Sequence, residues 1–380
     1  MSRIRVLHVV WRLSPKGGEG ALVRTVARSL DPERFDVHVC SVRPEYGEDR
    51  LDELGSSVTR HHLDVEGPTT LRSRLATLKG VAEVAGRVDP DALHLHSGIA
   101  WYALPALVRG AGRARILEVQ DSPASGRLTP LNHRVQAAVV RTFGLTVVAH
   151  SREVAADLSR SYRLAPETIR RFGLGIDVGF FANPRRERAA VRAELGIDRD
   201  APVVLYVARL VPSKRADLFI DVASRVASEV PTARFILAGQ GPCAEELRRQ
   251  AAGRGLGVHV VFPGFVDDLP SLYAAADCFV STSEYEGFGL SIAEAQAAGV
   301  PVVASAVGGV PDVVDAGRTA LLVAPGDCPS LARAVASVLV DEDKRRAMGD
   351  AGSAWAARHL DAEDMTEAYA DLYEDLHSRG

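Results

Sequence analysis

Two glutamates, Glu286 and Glu294, flank a glycine-containing segment whose residue types could bind a phosphorylated sugar. The apolar run at 278–280 indicates the end of a buried strand. The alanine-rich run at 292–298 indicates a helix, which Gly299 would end. Glu286 is therefore predicted to lie in a loop that joins a strand to a helix.

Such a loop offers several groups to one ligand. Gly287 and Gly289 permit tight turns and close approach of a ligand, and the unpaired amides of the first helical turn favour a diphosphate. Glu286 would accept hydrogen bonds from hydroxyls beside the phosphate, and Glu294, about one turn into the helix, would reach a ribose. The residues of this segment that we predict to bind the phosphorylated sugar are Gly287, Phe288, Gly289, Leu290 and Glu294.

The stretch 264–314 resembles the signature of the retaining family 4 glycosyltransferases. It contains E-G-F-G-L, A-G-V-P-V-V and G-G-V-P-D at the spacing of that family. The resemblance implies an α/β fold of the GT-B architecture, with two Rossmann-like domains that face each other across a cleft. It also implies a nucleotide-sugar donor and no metal ion. An acidic loop before an ordinary helix would not explain so many spaced elements.

The resemblance extends to a pair of cations. Arg209 and Lys214 stand in A-R-L-V-P-S-K-R, where the family has G-R-L-x-x-x-K-G with both cations on the donor diphosphate. The chain has only four lysines against 41 arginines, so a lysine at this position is unlikely to be an accident of composition. Two fixed positive charges would do the electrostatic work otherwise given to a metal. Gly241 matches a phosphate-side turn, and Val266 matches the segment that lines the base pocket in relatives.

The first half alternates strand-like runs with helical patterns, which predicts a parallel sheet flanked by helices. Because such sheets bind ligands beyond the carboxyl ends of their strands, His96 and Gln120 are candidate cleft residues. Gly17 and Gly18 follow the first strand. They either form a plain tight turn or, as the resemblance implies, approach the donor phosphate or the acceptor.

Gln120 marks the main departure from the family. Its segment reads E-V-Q-D, whereas the family commonly has T-x-H-D, in which the histidine contacts the donor sugar. A glutamine donates and accepts hydrogen bonds but cannot carry a proton charge. We expect an altered sugar geometry rather than inactivity, with Asp121 or His96 as residues that could compensate.

The predicted domain organisation has three parts. An amino-terminal acceptor-binding domain occupies 1–180, and a nucleotide-sugar-binding domain occupies 181–355. A last helix, 356–380, is expected by analogy to cross back to the first domain. The length of 380 residues, with 47% hydrophobic and 25% charged residues, provides for two globular domains.

Composition narrows the cellular setting. The scattered cysteines indicate neither a zinc site nor a disulfide framework, and we find no nucleic-acid motif, leader or membrane span, so a cytoplasmic protein is expected. Residues 1–175 have a formal charge of +6 and the remainder has −10. The basic half, with the helical pattern at 71–84, predicts either an ordinary arginine-rich surface or weak peripheral contact with an anionic membrane.

The sequence thus predicts a retaining, metal-independent glycosyltransferase. It would move a sugar from a nucleotide-diphosphate sugar, with a UDP-sugar as the first expectation, to a hydroxyl of a glycan, lipid-linked or small-molecule acceptor. The alternative is a noncatalytic GT-B protein that binds nucleotide sugars. Three departures from the family pattern favour this alternative: Gln120, Leu174 at the asparagine position of the family's N-G-I-D turn, and Ala208 in place of a glycine.

Overall fold

The computed structural model of the chain describes residues 3–13, 18–43, 54–66, 70–121 and 129–379. It contains two compact units. The first comprises the chain up to Gly175 together with the segment from Ala362 onward, and the second comprises Ile176–Asp361. The sequence analysis placed the boundary near 180 and the start of the last segment at 356.

The first unit is built on a seven-stranded parallel sheet of order β3-β2-β1-β4-β5-β6-β7. Its central strands are apolar and buried, because helices cover both faces of a parallel sheet. The strands are β1 Ile4–Val10, β2 Phe35–Ser41, β3 Thr59–His62, β4 Ala92–His96, β5 Ala114–Val119, β6 Thr146–Ala149 and β7 Ile169–Arg171. The helices are α1 Gly18–Ser29, α2 Leu71–Val88, α3 Leu104–Val108, α4 Pro130–Phe143 and α5 Arg152–Tyr162.

Local sequence explains where several of these elements begin. Thr70 forms a capping box with Ser73 at the start of α2, and the Ser151 hydroxyl accepts a hydrogen bond from the amide of Val154 at the start of α5. The edge strands β3 and β7 were not predicted. Their sequences, T-R-H-H and I-R-R, lack the apolar run of a buried strand because each lies at a sheet edge.

The second unit has a six-stranded parallel sheet of order β10-β9-β8-β11-β12-β13. Its strands are β8 Val203–Val207, β9 Arg234–Ala238, β10 Val260–Gly264, β11 Cys278–Ser281, β12 Val302–Ser305 and β13 Ala320–Val323. Its helices are α6 Val178–Ala182, α7 Arg188–Glu194, α8 Ala216–Glu229, α9 Ala244–Gly253, α10 Leu269–Ala274, α11 Leu290–Ala297, α12 Val310–Val313, α13 Cys328–Val340 and α14 Glu342–His359. The predicted α/β fold is confirmed in both units.

Two helices at the end of the chain divide between the units. Helix α14 packs against α11 through small residues, with Gly349 against Gly299, and it was not predicted because it has no broad apolar face. The following helix, α15 Ala362–Arg379, packs on the sheet of the first unit. It buries the side chains of Tyr369 and Tyr373 there.

Candidate functional site

The second sheet changes direction between β8 and β11. From β8 the chain adds β9 and β10 on one side, and then returns to add β11, β12 and β13 on the other. The loops that follow the carboxyl ends of β8 and β11 therefore diverge and leave a crevice, the usual ligand site of an open α/β sheet. Lys214 follows β8, and Glu286 follows β11.

Lys214 and Glu286 form an ion pair at this edge. The Lys214 Nζ lies 2.6 Å from the Glu286 Oε1, and the two side chains are 15% and 12% exposed. The Ser283 hydroxyl donates a second hydrogen bond, of 2.7 Å, to the same oxygen. Since both contacts use Oε1, the other carboxylate oxygen can accept hydrogen bonds from a ligand hydroxyl. The predicted cation and carboxylate are thus brought together.

The Lys214 loop is hydrogen-bonded to β8 and to the residue that follows β11. The Tyr206 hydroxyl donates to the Lys214 carbonyl at 2.7 Å, and the Thr282 hydroxyl donates to the Arg215 carbonyl at 2.7 Å. Arg215, which stands where the family has a glycine, has φ of 51° in the left-handed region, and its guanidinium pairs with Asp217 at 3.0 Å. The loop therefore keeps the backbone conformation suited to glycine while it carries an arginine.

The G-G-V-P-D motif fixes the backbone of Glu286. The amide of Gly309 donates to the Glu286 carbonyl at 2.8 Å, and Gly308 has φ of 54°. A Cβ at Gly308 would collide with that same carbonyl. Gly308 is therefore required for the close approach of two backbone segments, which explains why this motif accompanies the E-G-F-G-L loop.

Arg209 and Gly241 lie on the β8 side of the crevice. The Arg209 side chain is exposed just after β8. Gly241 packs against the backbone of Leu210, whose carbonyl a Cβ at 241 would strike, and the amide of Leu210 donates to the Gln240 carbonyl at 2.9 Å. The two loops are thus locked to one another, with the exposed guanidinium on the outer side of the contact.

The remaining predicted donor residues lie in and around α11. This helix begins at Leu290, directly after Gly289 with φ of 106°, so its first amides have no partner within the helix. The Tyr273 hydroxyl donates to the Glu294 Oε2 at 2.8 Å, and burial raises the pKa of Glu294 to about 7. Phe288 is buried and Val266 is half-buried after β10. Glu294 can thus change its charge near neutral pH.

The first sheet has its own change of direction, between β1 and β4. Gly18 begins α1 after β1, and Gly17 lies outside the described residues. His96 ends β4, but its imidazole is only 1% exposed, and its Nε2 lies 3.0 Å from the His8 Nδ1. It is thus an interior residue that does not reach a ligand in this structure. Gln120, half-buried after β5, does reach the edge.

Sequence analysis missed two residues at this edge. Ser97, next to His96, has φ of 49°, a conformation that costs a non-glycine residue about 1–3 kcal/mol and that clusters at functional sites. Burial raises the pKa of Glu19, in the first turn of α1, although His96 and a hydrogen bond with Ser97 oppose the shift. A positive φ at serine leaves no signal in a single sequence.

A cluster of buried polar side chains lies within the first unit, and it too was missed. Its members are His8, His94, His96, Glu118, His150, Tyr369 and Tyr373. The strand register explains the cluster, because His8 pairs with His94 and His96 pairs with Glu118 across adjacent strands. Polar residues in phase on neighbouring predicted strands were the available signal.

Electrostatics within this cluster favour an ionised carboxylate. Burial alone would raise the pKa of Glu118, but His96 and His150 outweigh burial and hold that pKa well below its ordinary value. Burial and then His96 lower the pKa of His94 to about 4. The ring nitrogens of His8, His94 and His96 lie within 4.8 Å of one another. Their ring planes are within 34° of parallel, which favours contacts inside the cluster over shared coordination of an ion.

The state of the cysteines and the character of the helices were also predicted from the sequence. All four cysteines carry free thiols in the structure. Among the helices of the described ranges, none combines the length and the apolar character that a membrane crossing needs.

Two family models match the chain. "Glycosyltransferase Family 4" matches residues 16–180, and "Glycosyl transferases group 1" matches residues 187–355. The chain is 32% identical over 367 residues to the 2-deoxystreptamine N-acetyl-D-glucosaminyltransferase of Streptomyces fradiae, a match that covers 90% of this chain and 83% of that protein.

Another relative is matched over a shorter part of its length. The GDP-mannose-dependent alpha-(1-6)-phosphatidylinositol monomannoside mannosyltransferase of Mycolicibacterium smegmatis is 37% identical over 191 residues, which cover 48% of this chain. The match spans about half of that relative, 50% of its length.

A solved structure supplies the comparison of folds. HepE of Anabaena in complex with UDP-glucose is 23% identical, with a TM-score of 0.82 over 98% of this chain and 100% of that one. Its likeness shows a shared fold, the GT-B fold. With both halves matched by family models and a relative aligned over most of its length, the chain belongs to the family 4 glycosyltransferases.

Proposed function

We propose that the protein is a retaining, metal-independent glycosyltransferase that moves a sugar from a nucleotide-diphosphate sugar to a hydroxyl group. The observation that most supports this proposal is the ion pair of Lys214 and Glu286. It lies where the second sheet changes direction, with the amino terminus of α11 following Glu286 in the chain. A cation, a hydroxyl-binding carboxylate and unpaired amides together suit a sugar attached to a diphosphate.

Each residue has a distinct proposed role. Lys214 and Arg209 neutralise the diphosphate, with the amides at the start of α11 as further donors. Glu286 accepts hydrogen bonds from the sugar hydroxyls. Glu294 binds the ribose, and the backbone near Val266 faces the base, while Gly241 shapes the phosphate side of the crevice.

In the proposed reaction the acceptor oxygen attacks the anomeric carbon on the face from which the diphosphate leaves. The bond from that carbon to the phosphate oxygen breaks, the bond to the acceptor oxygen forms, and the acceptor proton passes to the departing phosphate. Lys214 and Arg209 stabilise the charge that grows on the leaving group. We assign Glu286 the binding of sugar hydroxyls rather than nucleophilic attack, because Lys214 and Ser283 hold its Oε1 and thereby leave Oε2 as a hydrogen-bond acceptor of fixed position.

The names of the relatives and of the solved structure contain different nucleotide sugars. The mycolicibacterial relative is named as GDP-mannose-dependent, whereas HepE was solved with UDP-glucose. We propose a UDP-sugar as the first donor and GDP-mannose as the second. The relatives have names of transferases, which argues against the noncatalytic alternative.

The proposed weak contact with anionic membranes has one structural counterpart. Leu71 and Leu75, on the first turns of α2, are 74% and 57% exposed. Arg72 and Arg74 accompany them. Sedimentation with anionic liposomes tests this contact, and the L71S/L75S variant is expected to sediment less; equal sedimentation of both proteins would refute it.

The test of the proposed function is transfer in the presence of EDTA. The protein is incubated with each nucleotide sugar and a panel of hydroxyl acceptors, and the anomeric configuration of the product is read by NMR. We expect transfer at an undiminished rate and a product with the configuration of the donor. An inverted product would refute the retaining mechanism, and loss of transfer that Mg²⁺ or Mn²⁺ restores would refute metal independence.

A further inference from the structure

Glu118 lies next to Gln120 in the interior of the first unit. The two residues are two positions apart, so they project to the same side of the extended backbone. The Gln120 Nε2 lies 3.4 Å from the Glu118 Oε1, and the Glu118 side chain is only 1% exposed. This contact fixes the orientation of the amide, because the amide oxygen would be repelled by a carboxylate whereas the NH₂ group is attracted. The amide oxygen of Gln120 is therefore left to accept a hydrogen bond from a ligand.

Three side chains surround Glu118, one of them through a hydrogen bond. The Tyr369 hydroxyl of α15 donates to its Oε2 at 2.7 Å. The His94 Nε2 lies 3.2 Å from Oε2, and the His150 Nε2 lies 3.1 Å from Oε1. A carboxylate with this many fixed neighbours has little freedom to rotate. The fixed carboxylate therefore fixes the orientation of the Gln120 amide that donates to it.

We propose that Glu118 is a positioning residue for sugar transfer: it turns the amide oxygen of Gln120 toward a hydroxyl of a sugar substrate at the carboxyl edge of the first sheet, and Tyr369 fixes Glu118 for this purpose. The inference rests on the proposed function and adds to it a contact between Gln120 and the sugar. Helix α15, which belongs to the first unit although it lies at the far end of the chain, would thereby act on the reaction through Tyr369 and Glu118.

The contact with Glu118 also determines what changes when position 120 has a glutamine instead of the family's histidine. A histidine beside a buried carboxylate is held as a proton donor, either neutral or charged. Glutamine beside the same carboxylate donates one N–H to Glu118 and presents its amide oxygen as an acceptor. The site should therefore select sugars with a hydroxyl at the contacted position and discriminate against the corresponding deoxy sugars. A buried acceptor left without its donor typically costs about tenfold or more in kcat/KM.

A first experiment reads the Gln120 amide directly and needs no turnover. The chain contains five glutamines, so side-chain amide signals of protein labelled with ¹⁵N-glutamine can be assigned, with Q120A identifying the signal of interest. Glu118→Gln and Tyr369→Phe are compared with Tyr373→Phe. The control removes another buried hydroxyl of α15, which lies 2.7 Å from the His94 Nδ1 and makes no direct contact with Glu118.

We expect the Gln120 amide protons to exchange slowly with water in the wild type and at least several-fold faster in Glu118→Gln and Tyr369→Phe. In Tyr373→Phe the rate should change less than in Tyr369→Phe, because the Tyr373 hydroxyl bonds His94 rather than Glu118 itself. An unchanged Gln120 signal in Tyr369→Phe, or an equal change in Tyr373→Phe, would overturn the positioning role. The Tyr369→Phe arm holds even if Glu118→Gln fails to fold, since the carboxylate stays in place.

A second experiment is a double-mutant cycle on kcat and KM. Tyr369→Phe should lower kcat about three- to tenfold in the wild type and have less than a twofold effect in the Q120A background, because it acts through Gln120. The same loss in both backgrounds would show a merely structural role and sink the inference. A fully active Q120A would remove Gln120 from the site and overturn the inference. A wild type that transfers no sugar would instead refute the proposed function, and the amide signal would still decide whether Glu118 orients Gln120.

Discussion

The carboxyl edges of the two sheets differ in how far their charged side chains are exposed. In the second unit, the charged pair of Lys214 and Glu286 remains partly accessible, at 15% and 12% exposure, and its neighbours hold it in place. In the first unit, the charged group Glu118 is only 1% exposed, and a neutral amide, Gln120, lies at the edge. The second edge thus offers charge to a ligand, whereas the first keeps its charge inside and offers an oriented dipole.

This contrast fits the chemistry proposed for each side. A diphosphate requires cations, and a fixed cation is effective only if it remains near water-accessible space where the ligand can reach it. A sugar hydroxyl requires a neutral donor or acceptor of fixed direction, and a buried network supplies direction at the expense of adaptability. The predictions below test whether the two edges differ in this way.

The largest effect should come from the carboxylate of the second edge. Glu286→Gln keeps the shape of the side chain but weakens both the pairing with Lys214 and the binding of sugar hydroxyls. We expect kcat to fall about a thousandfold, the loss typical of a preorganised electrostatic contact, with nucleotide affinity changed less than threefold. Steady-state kinetics and calorimetry check this.

The matched control for this variant is Glu284→Gln. Glu284 is exposed, and its backbone amide donates to the Ser213 carbonyl at 2.9 Å, a bond that the change to glutamine leaves in place. We expect full activity. If the two variants lost activity equally, the assignment of Glu286 to the sugar would be wrong.

Gly308→Ala should disturb both the stability of the second unit and the position of Glu286. The new Cβ would meet the Glu286 carbonyl, whereas Gly317→Ala, also at positive φ, meets nothing within 4 Å. We expect the free energy of unfolding to fall by about 3 kcal/mol for Gly308→Ala and about 1 kcal/mol for Gly317→Ala. Denaturant unfolding measures both, and equal losses would show that backbone strain rather than the clash dominates.

Lys214→Met should weaken nucleotide-sugar binding while it leaves the fold intact. Removal of one fixed cation from a diphosphate site typically costs about 2 kcal/mol, or about thirtyfold in affinity. Lys344→Met is the control, because the Lys344 ammonium on α14 contacts the Ser337 hydroxyl rather than the crevice. Calorimetric titration separates the two, and unchanged affinity in Lys214→Met would remove this lysine from the site.

The smallest effect concerns the charge of Glu294. Burial raises its pKa to about 7, so the folded protein retains this proton over a pH range in which the unfolded chain releases it. Stability from this group is therefore present at low pH and is lost as pH rises through 7. Ribose binding should follow the opposite trend, because the ionised carboxylate is the better acceptor.

A nucleotide sugar, whose diphosphate does not titrate in this range, is therefore expected to bind about tenfold more tightly at pH 8 than at pH 6. Glu294→Gln should remove this difference, and it should also flatten the dependence of stability on pH. Calorimetry at several pH values measures the first effect and thermal unfolding the second. A pH dependence that survives in Glu294→Gln would assign it to another group.

Sequence reasoning was more informative about the second edge than about the first. The strand-loop-helix order around Glu286 followed from apolar runs and glycine positions. The structure also places the Lys214 side chain against Glu286, a contact that was not predicted. Contiguous segments with spaced glycines carry such information because their local conformation is demanded by the residues themselves.

The cluster around Glu118 could not be found in the same way. Its members come from three strands, from the position directly after β6 and from α15. Strand register places His96 opposite Glu118, and the packing of α15 places Tyr369 beside them. His96 was predicted as a cleft residue because it ends a strand. Its side chain instead points into the interior, and a single sequence does not reveal which face of a doubly covered strand a polar residue occupies.

The most direct test of the account is a thermal-shift panel of UDP-, GDP-, ADP- and dTDP-sugars in EDTA, with the wild type and Lys214→Met side by side. A ligand that binds only the folded state raises its Tm. We predict that the sugars of one nucleotide raise the Tm of the wild type without metal, and that the rise is largely lost in Lys214→Met. No rise with any nucleotide sugar, or an equal rise in both proteins, would contradict the assignment of the donor to the carboxyl edge of the second sheet.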